Sequence, residues 1–150
     1  MNTRERAARI GAVADLMSVS LRMVEAQLPE PSEITGPVEL DISWETTHQQ
    51  SPPDSVRYTY RLVVASAEPH GLHIECAFEL TYGVPDRIEP TDDDLEAFGE
   101  VSVSFSAFPY ARELVQTLTT RASLPPLVLG TLRAPIDPPK SDTEVVEAGG

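Results

Sequence analysis

Three segments between residues 38 and 82 alternate between apolar and polar residues, and this pattern restricts the folds open to the chain. In each segment the apolar residues share one parity, as in antiparallel strands with one buried and one solvated face. The connecting loops are too short for crossover helices, so the segments predict an antiparallel meander. The apolar set comprises Val38, Leu40, Ile42, Trp44, then Val56, Tyr58, Tyr60, Leu62, Val64, then Leu72, Ile74, Cys76, Phe78, Leu80 and Tyr82.

The residues before the meander are less clearly patterned. Residues 3 to 14 are rich in alanine and start at Thr3, a residue type that can cap a helix, so we expect a short helix there. Residues 18 to 28 fit a strand by their alternation and a helix by their apolar spacing, so periodicity alone leaves this segment open.

Residues 92 to 123 follow the meander and favour helical structure at both ends. The aspartates at the start suit a helix N-terminus, with Thr91 or Asp92 as the cap. Near the other end, residues 110 to 122 carry the apolar stripe of an amphipathic helix. Between them, residues 101 to 108 alternate as a strand would.

The C-terminal part of the chain has a different composition. Residues 124 to 136 are extended and apolar, while residues 137 to 150 are rich in proline, acids and glycine. We expect a single domain over residues 1 to 136, followed by a disordered acidic tail over residues 137 to 150.

The charge and cysteine content exclude several classes of function. A net charge of −13 over 150 residues argues against nucleic acid and anionic membranes, which require basic patches, and favours basic or unfolded cationic partners. The single Cys76 rules out an internal disulfide, and no Cys/His spacing suggests a metal. No apolar run near the N-terminus reaches the length of a signal peptide or membrane span. We therefore expect a cytoplasmic protein without metal or cofactor.

Residues suited to catalysis are scattered. His48, His70 and His73 lie near no glycine-rich phosphate loop or nucleophile elbow. The aspartates at 92 to 94 lack the spacing of an EF-hand and are better explained as the start of a helix. We expect no enzymatic activity.

The most specific segment is FPYARELVQTLTTRASLPPLVLGTL, residues 108 to 132. It resembles the SecB family, whose long helix starts with Phe-Pro-Tyr-Ala-Arg-Glu and is followed by an arginine and a Pro-x-Leu-x-Leu loop. The matching residues are Phe108, Pro109, Tyr110, Ala111, Arg112, Glu113, Arg121, Pro125 or Pro126, Leu127 and Leu129.

This resemblance implies an α+β fold: a four-stranded antiparallel sheet followed by a long helix. It makes residues 18 to 28 the first strand, so that the sheet spans residues 18 to 82, with residues 3 to 14 as an extra N-terminal helix. It also implies that residues 95 to 107 are helical or irregular, against their own alternation.

The resemblance also implies a chaperone that forms dimers or tetramers and binds unfolded clients in apolar grooves. Burial of apolar surface is non-directional and suits many unrelated sequences. Core packing is the alternative interpretation of every candidate groove residue. The candidates are Trp44, Phe108, Leu124, Leu127, Leu129 and Leu132.

Two features depart from the family pattern. Asp41 and Glu45 in DISWE look like the acidic pair with which relatives contact the SecA motor, but the strand count places them on the second strand instead of the first. Relatives have another helix after the Pro-x-Leu loop, whereas Pro135, Pro138 and Pro139 exclude one here. SecA is therefore a doubtful partner, and part of the groove is expected to be missing.

Three functions fit these observations. The first is an ATP-independent holdase for unfolded or precursor proteins, acting in protein export. The second is a chaperone of the same fold dedicated to one client, such as the antitoxin of a toxin–antitoxin system. The third is an adaptor that binds one folded partner on its sheet.

Overall fold

The computed structural model describes residues 1–34, 38–51, 54–66, 71–125 and 141–146, which form an antiparallel sheet with helices on one face. Short 3-10 turns lie at Pro31–Glu33 and Asp86–Ile88. The elements in chain order are α1 (Thr3–Gly11), β1 (Asp15–Gln27), β2 (Val38–Ser51), β3 (Ser55–Ser66), β4 (His73–Gly83), α2 (Asp92–Phe98), a π-helical turn (Gly99–Val103), α3 (Ser104–Arg121) and β5 (Ser141–Val146).

The strands are ordered β1-β4-β3-β2-β5, and every neighbouring pair is antiparallel. The predicted meander of β2, β3 and β4 is confirmed. The segment that periodicity left open is a strand, β1, which starts at Asp15 and pairs with β4. The four-stranded sheet and long helix implied by the SecB resemblance are therefore present.

Strand β5 is a feature that the expectation of a disordered tail did not include. Its six residues pair with the edge of β2 in a continuous register, from Val38 opposite Val146 to Ser43 opposite Ser141. The sheet thus has five strands among the described residues. Most of the predicted apolar loop and the rest of the predicted tail lie outside the described residues, at positions 126–140 and 147–150.

The helices cover the face of the sheet that the alternating residues define. From Leu40 to Tyr82, the predicted inward-facing residues of β2, β3 and β4 whose side chains are described are buried, except Trp44, which is partly buried. Burial of this shared face is the main source of stability in a sheet covered on one side.

The segment from α2 to α3 is one continuous helical stretch, so the alternation of residues 101 to 108 wrongly indicated a strand. A different spacing explains the helix, because Val103, Ala107, Ala111 and Val115 recur every four residues and all have 0% exposure. The polar residues at alternate positions of this segment are compatible with a strand or with a helix. Packing of the four-residue stripe on the sheet favours the helix.

Gly99 sits where the helical stretch comes closest to the sheet. A Cβ atom at this position would lie 2.8 Å from Thr46 Oγ1 and 3.0 Å from Tyr58 Cε1. A residue without a side chain is therefore required for the backbone to approach β2 and β3 this closely.

Helix α1 is held by its cap and by two arginines. Asn2, one residue before the expected Thr3, accepts a 2.8 Å hydrogen bond from the Glu5 backbone N–H, and the Glu5 carboxylate accepts one from Asn2 N–H. Arg6 and Arg9 both donate to the buried carboxylate of Asp94 in α2. These contacts fix α1 against α2.

Candidate functional site

An open groove lies on β2 and β3 beside the predicted residue Trp44. Its volume is about 260 Å³, and its lining residues are Ser43, Trp44, Glu45, Arg61 and Val63. The strand register places Ser43 opposite Val63 and Glu45 opposite Arg61, so the hairpin brings together residues that are far apart in sequence. We refer to this feature as the Trp44 groove.

The charge around the Trp44 groove is mainly negative. Arg61 is the cation in the groove lining, and its Nε donates a 2.7 Å hydrogen bond to Glu75 on the neighbouring strand. Its positive charge is therefore already paired. Glu39, Asp41 and Glu45 are exposed and share one parity of β2. No cation pairs with Glu39 or Glu45 within the ranges that the structure describes.

Within the described ranges, strand pairing covers less than half of the β2 edge next to the groove. Strand β5 pairs with residues Val38–Ser43, and no described strand pairs with that side of residues 44–51. This open edge is roughly 27 Å long at the usual rise of about 3.4 Å per residue. Unpaired backbone groups along such an edge can pair with another extended chain.

A second exposed surface joins β1 and α3. The helices pack on β2, β3 and β4, while β1 at the sheet edge is left with apolar side chains in solvent. Phe78 of β4 lies opposite Leu21 of β1 in the register, and its ring is 6.2 Å from the ring of Tyr110 in α3, so β4 bridges the two elements. We call this surface the β1/α3 patch; its exposed members are Leu16, Met17, Leu21, Val24, Phe105 and Tyr110.

Of the β1/α3 patch, the sequence singled out only Tyr110, through its place in the hexapeptide motif. The exposed apolar residues of β1 do not share one parity, because the register with β4 shifts between Leu16 and Ser18 and again between Leu21 and Met23. The alternation of residues 18 to 28 therefore did not indicate which of them would be exposed.

The other predicted groove residues lie elsewhere. Phe108 and Leu124 are 7% and 6% exposed, so they are buried rather than part of an open surface here. Leu127, Leu129 and Leu132 lie outside the described residues. The role of these five residues in client binding stays a prediction, as does the contact of Asp41 and Glu45 with SecA.

The hexapeptide motif lies within α3, with its residues divided between core and surface. Phe108 and Ala111 are buried, Arg112 is half-buried, and Pro109, Tyr110 and Glu113 are exposed. The preceding π-helical turn, in which Ser104 N–H donates to the Gly99 carbonyl, ends at Val103, before the proline.

The described residues offer little for chemistry. Burial raises the pKa of the Cys76 thiol to about 11, the nearby Glu75 charge adds to this, and the thiol has 0% exposure. Among the residues in the described ranges, no cluster of His, Cys, Asp or Glu could hold a metal ion. None of the described helices is long and apolar enough to cross a membrane.

The sheet, the covering helix with its hexapeptide, and the N-terminal helix define a SecB-like fold. The solved structure of the SecB-like chaperone Rv1957 of Mycobacterium tuberculosis, in complex with a ChAD peptide from the antitoxin Rv1956 HigA1, superposes with a TM-score of 0.78. The match covers 87% of this chain and 98% of that chain at 23% sequence identity.

The sequence comparison agrees with the fold. The curated proteins SecB-like chaperone Rv1957 and SecB-like chaperone MT2006, from two Mycobacterium tuberculosis strains, are each 42% identical over 48 residues. These residues are 32% of this chain and 26% of each relative, so the match spans about a quarter of the relatives' length. No family model matches the chain. The SecB-like character indicated by the hexapeptide is confirmed.

Proposed function

We propose that this protein is an ATP-independent holdase that binds extended polypeptide segments and performs no chemistry. The observation that carries the proposal is β5: a six-residue extended segment is already bound along the β2 edge, next to the open Trp44 groove. A strand edge supplies backbone hydrogen bonds that are independent of sequence, and an adjoining groove adds side-chain contacts.

The range of clients is a separate part of the proposal. A general holdase would keep unfolded precursors competent for export. A dedicated chaperone would bind one antitoxin, and this candidate is supported by the similar fold of Rv1957, whose structure contains an antitoxin peptide. The two differ in whether binding depends on one client sequence.

The test measures light scattering of an unrelated, aggregation-prone unfolded protein, with this chain at stoichiometric amounts and without ATP. Suppression of aggregation supports a general holdase. A dedicated chaperone leaves that protein unaffected and binds a peptide from its own antitoxin. Failure of the chain to bind any unfolded or extended polypeptide would remove the chaperone proposal and favour an adaptor of folded partners.

We also infer that the β1/α3 patch is covered by a second copy of the chain in a cytoplasmic homo-oligomer. Strand β1 has 13 residues and lies at the sheet edge, so an identical strand can pair with it about a two-fold axis. The exposed side chains of Leu21, Phe105 and Tyr110 would then become buried together.

A further inference from the structure

We propose that α1 is a detachable lid, and that the surface of α2 beneath it accepts a helical segment of a partner protein with two basic residues one turn apart. This inference is independent of the holdase proposal, because it concerns the helices and not the sheet. Its geometric basis is that α1 meets α2 through a charged contact and an apolar contact, and that the α2 side of both is supported without α1.

The surface beneath α1 combines a carboxylate and an aromatic ring. Asp94 and Phe98 are four residues apart in α2, so their side chains lie on the same side of the helix. They are 2% and 3% exposed. Arg6 donates a 3.2 Å hydrogen bond to Asp94, Arg9 donates to the same carboxylate, and a Cβ atom on Gly11 would lie 3.7 Å from Phe98 Cε1. We call the pair of Asp94 and Phe98 the acceptor site.

Contacts outside α1 hold both members of the acceptor site in place. The ring of Phe98 lies 5.0 Å from the ring of Tyr82 in the sheet, in an edge-to-face arrangement. The Thr91 backbone N–H donates a 3.1 Å hydrogen bond to the Asp94 carboxylate. Both side chains therefore keep their orientation when α1 leaves, and the acceptor site is preformed.

Helix α1 is held less firmly than the site it covers. It has nine residues, too few for a stable isolated helix, and of these Ala7 and Ile10 are buried. Ile10 is thus the one large apolar side chain by which α1 docks. The side chains of Arg6 and Arg9 are 31% and 39% exposed, so solvent and salt screen their ion pairs. The helix can therefore open before the sheet does.

Opening of α1 leaves a carboxylate without its two cations, and this determines what the acceptor site binds. A segment that returns a basic group to Asp94 restores a charge-assisted hydrogen bond. Helix α1 shows the pattern that fits, because Arg6, Arg9 and Ile10 are spaced three and four residues apart and share one helix face. The expected ligand is an amphipathic helix with this spacing of basic and aliphatic residues.

A segment of a different protein fits the acceptor site better than α1 of a second copy. Residues 12 to 14 alone separate α1 from β1, and Asp15 at the start of β1 is paired with Gly83. Three residues span at most about 11 Å. An α1 donated by a second copy would therefore bring the sheet of that copy against this one.

The first test uses the full chain and a fluorescein-labelled peptide with the sequence of residues 1 to 14. Ile10→Ser in the chain removes the apolar anchor of its own α1 and leaves the acceptor site unchanged. We expect this variant to bind the peptide at least about tenfold more tightly than the wild type, in which the tethered α1 competes at high effective concentration. Fluorescence anisotropy measures the affinity. If Ile10→Ser keeps the strand signal of the wild type in circular dichroism and does not bind the peptide, the acceptor site is excluded.

A matched peptide with Arg6→Gln and Arg9→Gln tests the chemistry of the ligand, since glutamine and arginine have similar helix propensities. We expect it to bind Ile10→Ser about tenfold more weakly than the arginine peptide at low salt. Adding Asp94→Asn to Ile10→Ser should remove this difference. Equal affinities of the two peptides for Ile10→Ser would overturn the preference for basic segments.

Hydrogen exchange tests the lid in the unmodified chain. We expect the hydrogen-bonded amides of α1 to exchange at least about tenfold faster than those of β3, because α1 opens locally. Equal rates would mean that α1 opens only with the sheet, and the lid would be excluded even if Ile10→Ser failed to fold. Sedimentation velocity with and without the peptide tests the choice of partner. An oligomer that the peptide dissociates would identify α1 of a second copy as the occupant and overturn the assignment to a different protein.

Discussion

Tyr58 Oη donates a 2.7 Å hydrogen bond to the Leu95 carbonyl, joining the centre of the sheet to α2. Tyr60, two residues further along β3, is also fully buried against the helices. Its hydroxyl, however, has no hydrogen-bond partner among the described residues. Both tyrosines thus bury a hydroxyl group on the same strand, but among the described residues only the hydroxyl of Tyr58 forms a hydrogen bond.

Replacement of each tyrosine by phenylalanine should therefore have opposite effects. We expect Tyr58→Phe to lower the free energy of unfolding by about 1 kcal/mol, since a buried hydrogen bond is lost. Tyr60→Phe should be neutral or stabilising, because it removes a buried hydroxyl that has lost its hydration. Urea unfolding measures both, and each variant controls for the other. A clear loss of stability in Tyr60→Phe would indicate a partner for its hydroxyl.

The contact of Gly99 with the sheet gives a second prediction. Gly99→Ala should destabilise the protein by about 1–2 kcal/mol, because the added methyl group meets Thr46 and Tyr58 and the gain in helix propensity is smaller. Gly11→Ala is the matched control, since its Cβ would meet only Phe98 Cε1 at an ordinary 3.7 Å. Thermal unfolding should show no loss for Gly11→Ala. Equal effects in the two variants would contradict the steric argument.

The sequence was most informative where structure depends on local pattern. In β3 and β4 the alternation predicted the buried face, because one side of each strand is covered by helices and the other is solvated. Around residues 101 to 108 the same pattern was misleading, because the four-residue stripe from Val103 to Val115 packs on the sheet. Only resemblance to a known family distinguished the two.

Non-local pairing explains what the sequence did not reveal. The segment of β5 has few apolar residues, and it becomes a strand by pairing with β2, about a hundred positions earlier in the chain. For the Trp44 groove, the sequence indicated Trp44 and Glu45 but not Arg61 and Val63. Their arrival opposite Glu45 and Ser43 depends on the hairpin register, which periodicity does not fix.

The carboxylate of Asp94 should make the free energy of unfolding depend on pH. Burial alone would raise its pKa, but hydrogen bonds from Thr91, the charge of Arg9 and the hydrogen bond from Arg6 outweigh burial and lower the pKa below its ordinary value. A lowered folded-state pKa gives stability that is present above the unfolded value of about 3.9 and is lost as pH falls through the folded value.

We therefore expect Asp94→Asn to reduce stability at pH 7 by about 2 kcal/mol, a moderate figure because both arginines are partly exposed. The difference from the wild type should shrink below about pH 4. Denaturant unfolding across this range measures it, with the exposed Asp93→Asn as control. A difference that stays constant down to acid pH would show that the charge of Asp94 is not responsible.

The buried thiol of Cys76 provides a probe of opening. With a pKa of about 11 and no exposed surface, it should react with a thiol reagent at pH 8 only when the sheet opens. We expect labelling to be slow in the native protein and fast in denaturant. Immediate labelling of the native protein would mean that β4 is accessible in solution.

A substitution in the β1/α3 patch tests self-association separately from client binding. Leu21→Lys should shift the protein toward monomers, since a charge would be buried at the centre of the proposed interface. Ser18→Lys adds the same charge to β1 opposite Thr81, whereas Leu21 lies opposite the core residue Phe78, so the two changes fall on different faces of the sheet. Sedimentation velocity should show an oligomer for the wild type and Ser18→Lys and a smaller species for Leu21→Lys. If Leu21→Lys leaves the assembly unchanged, the exposed apolar residues of β1 are free in solution and become candidates for a second client surface.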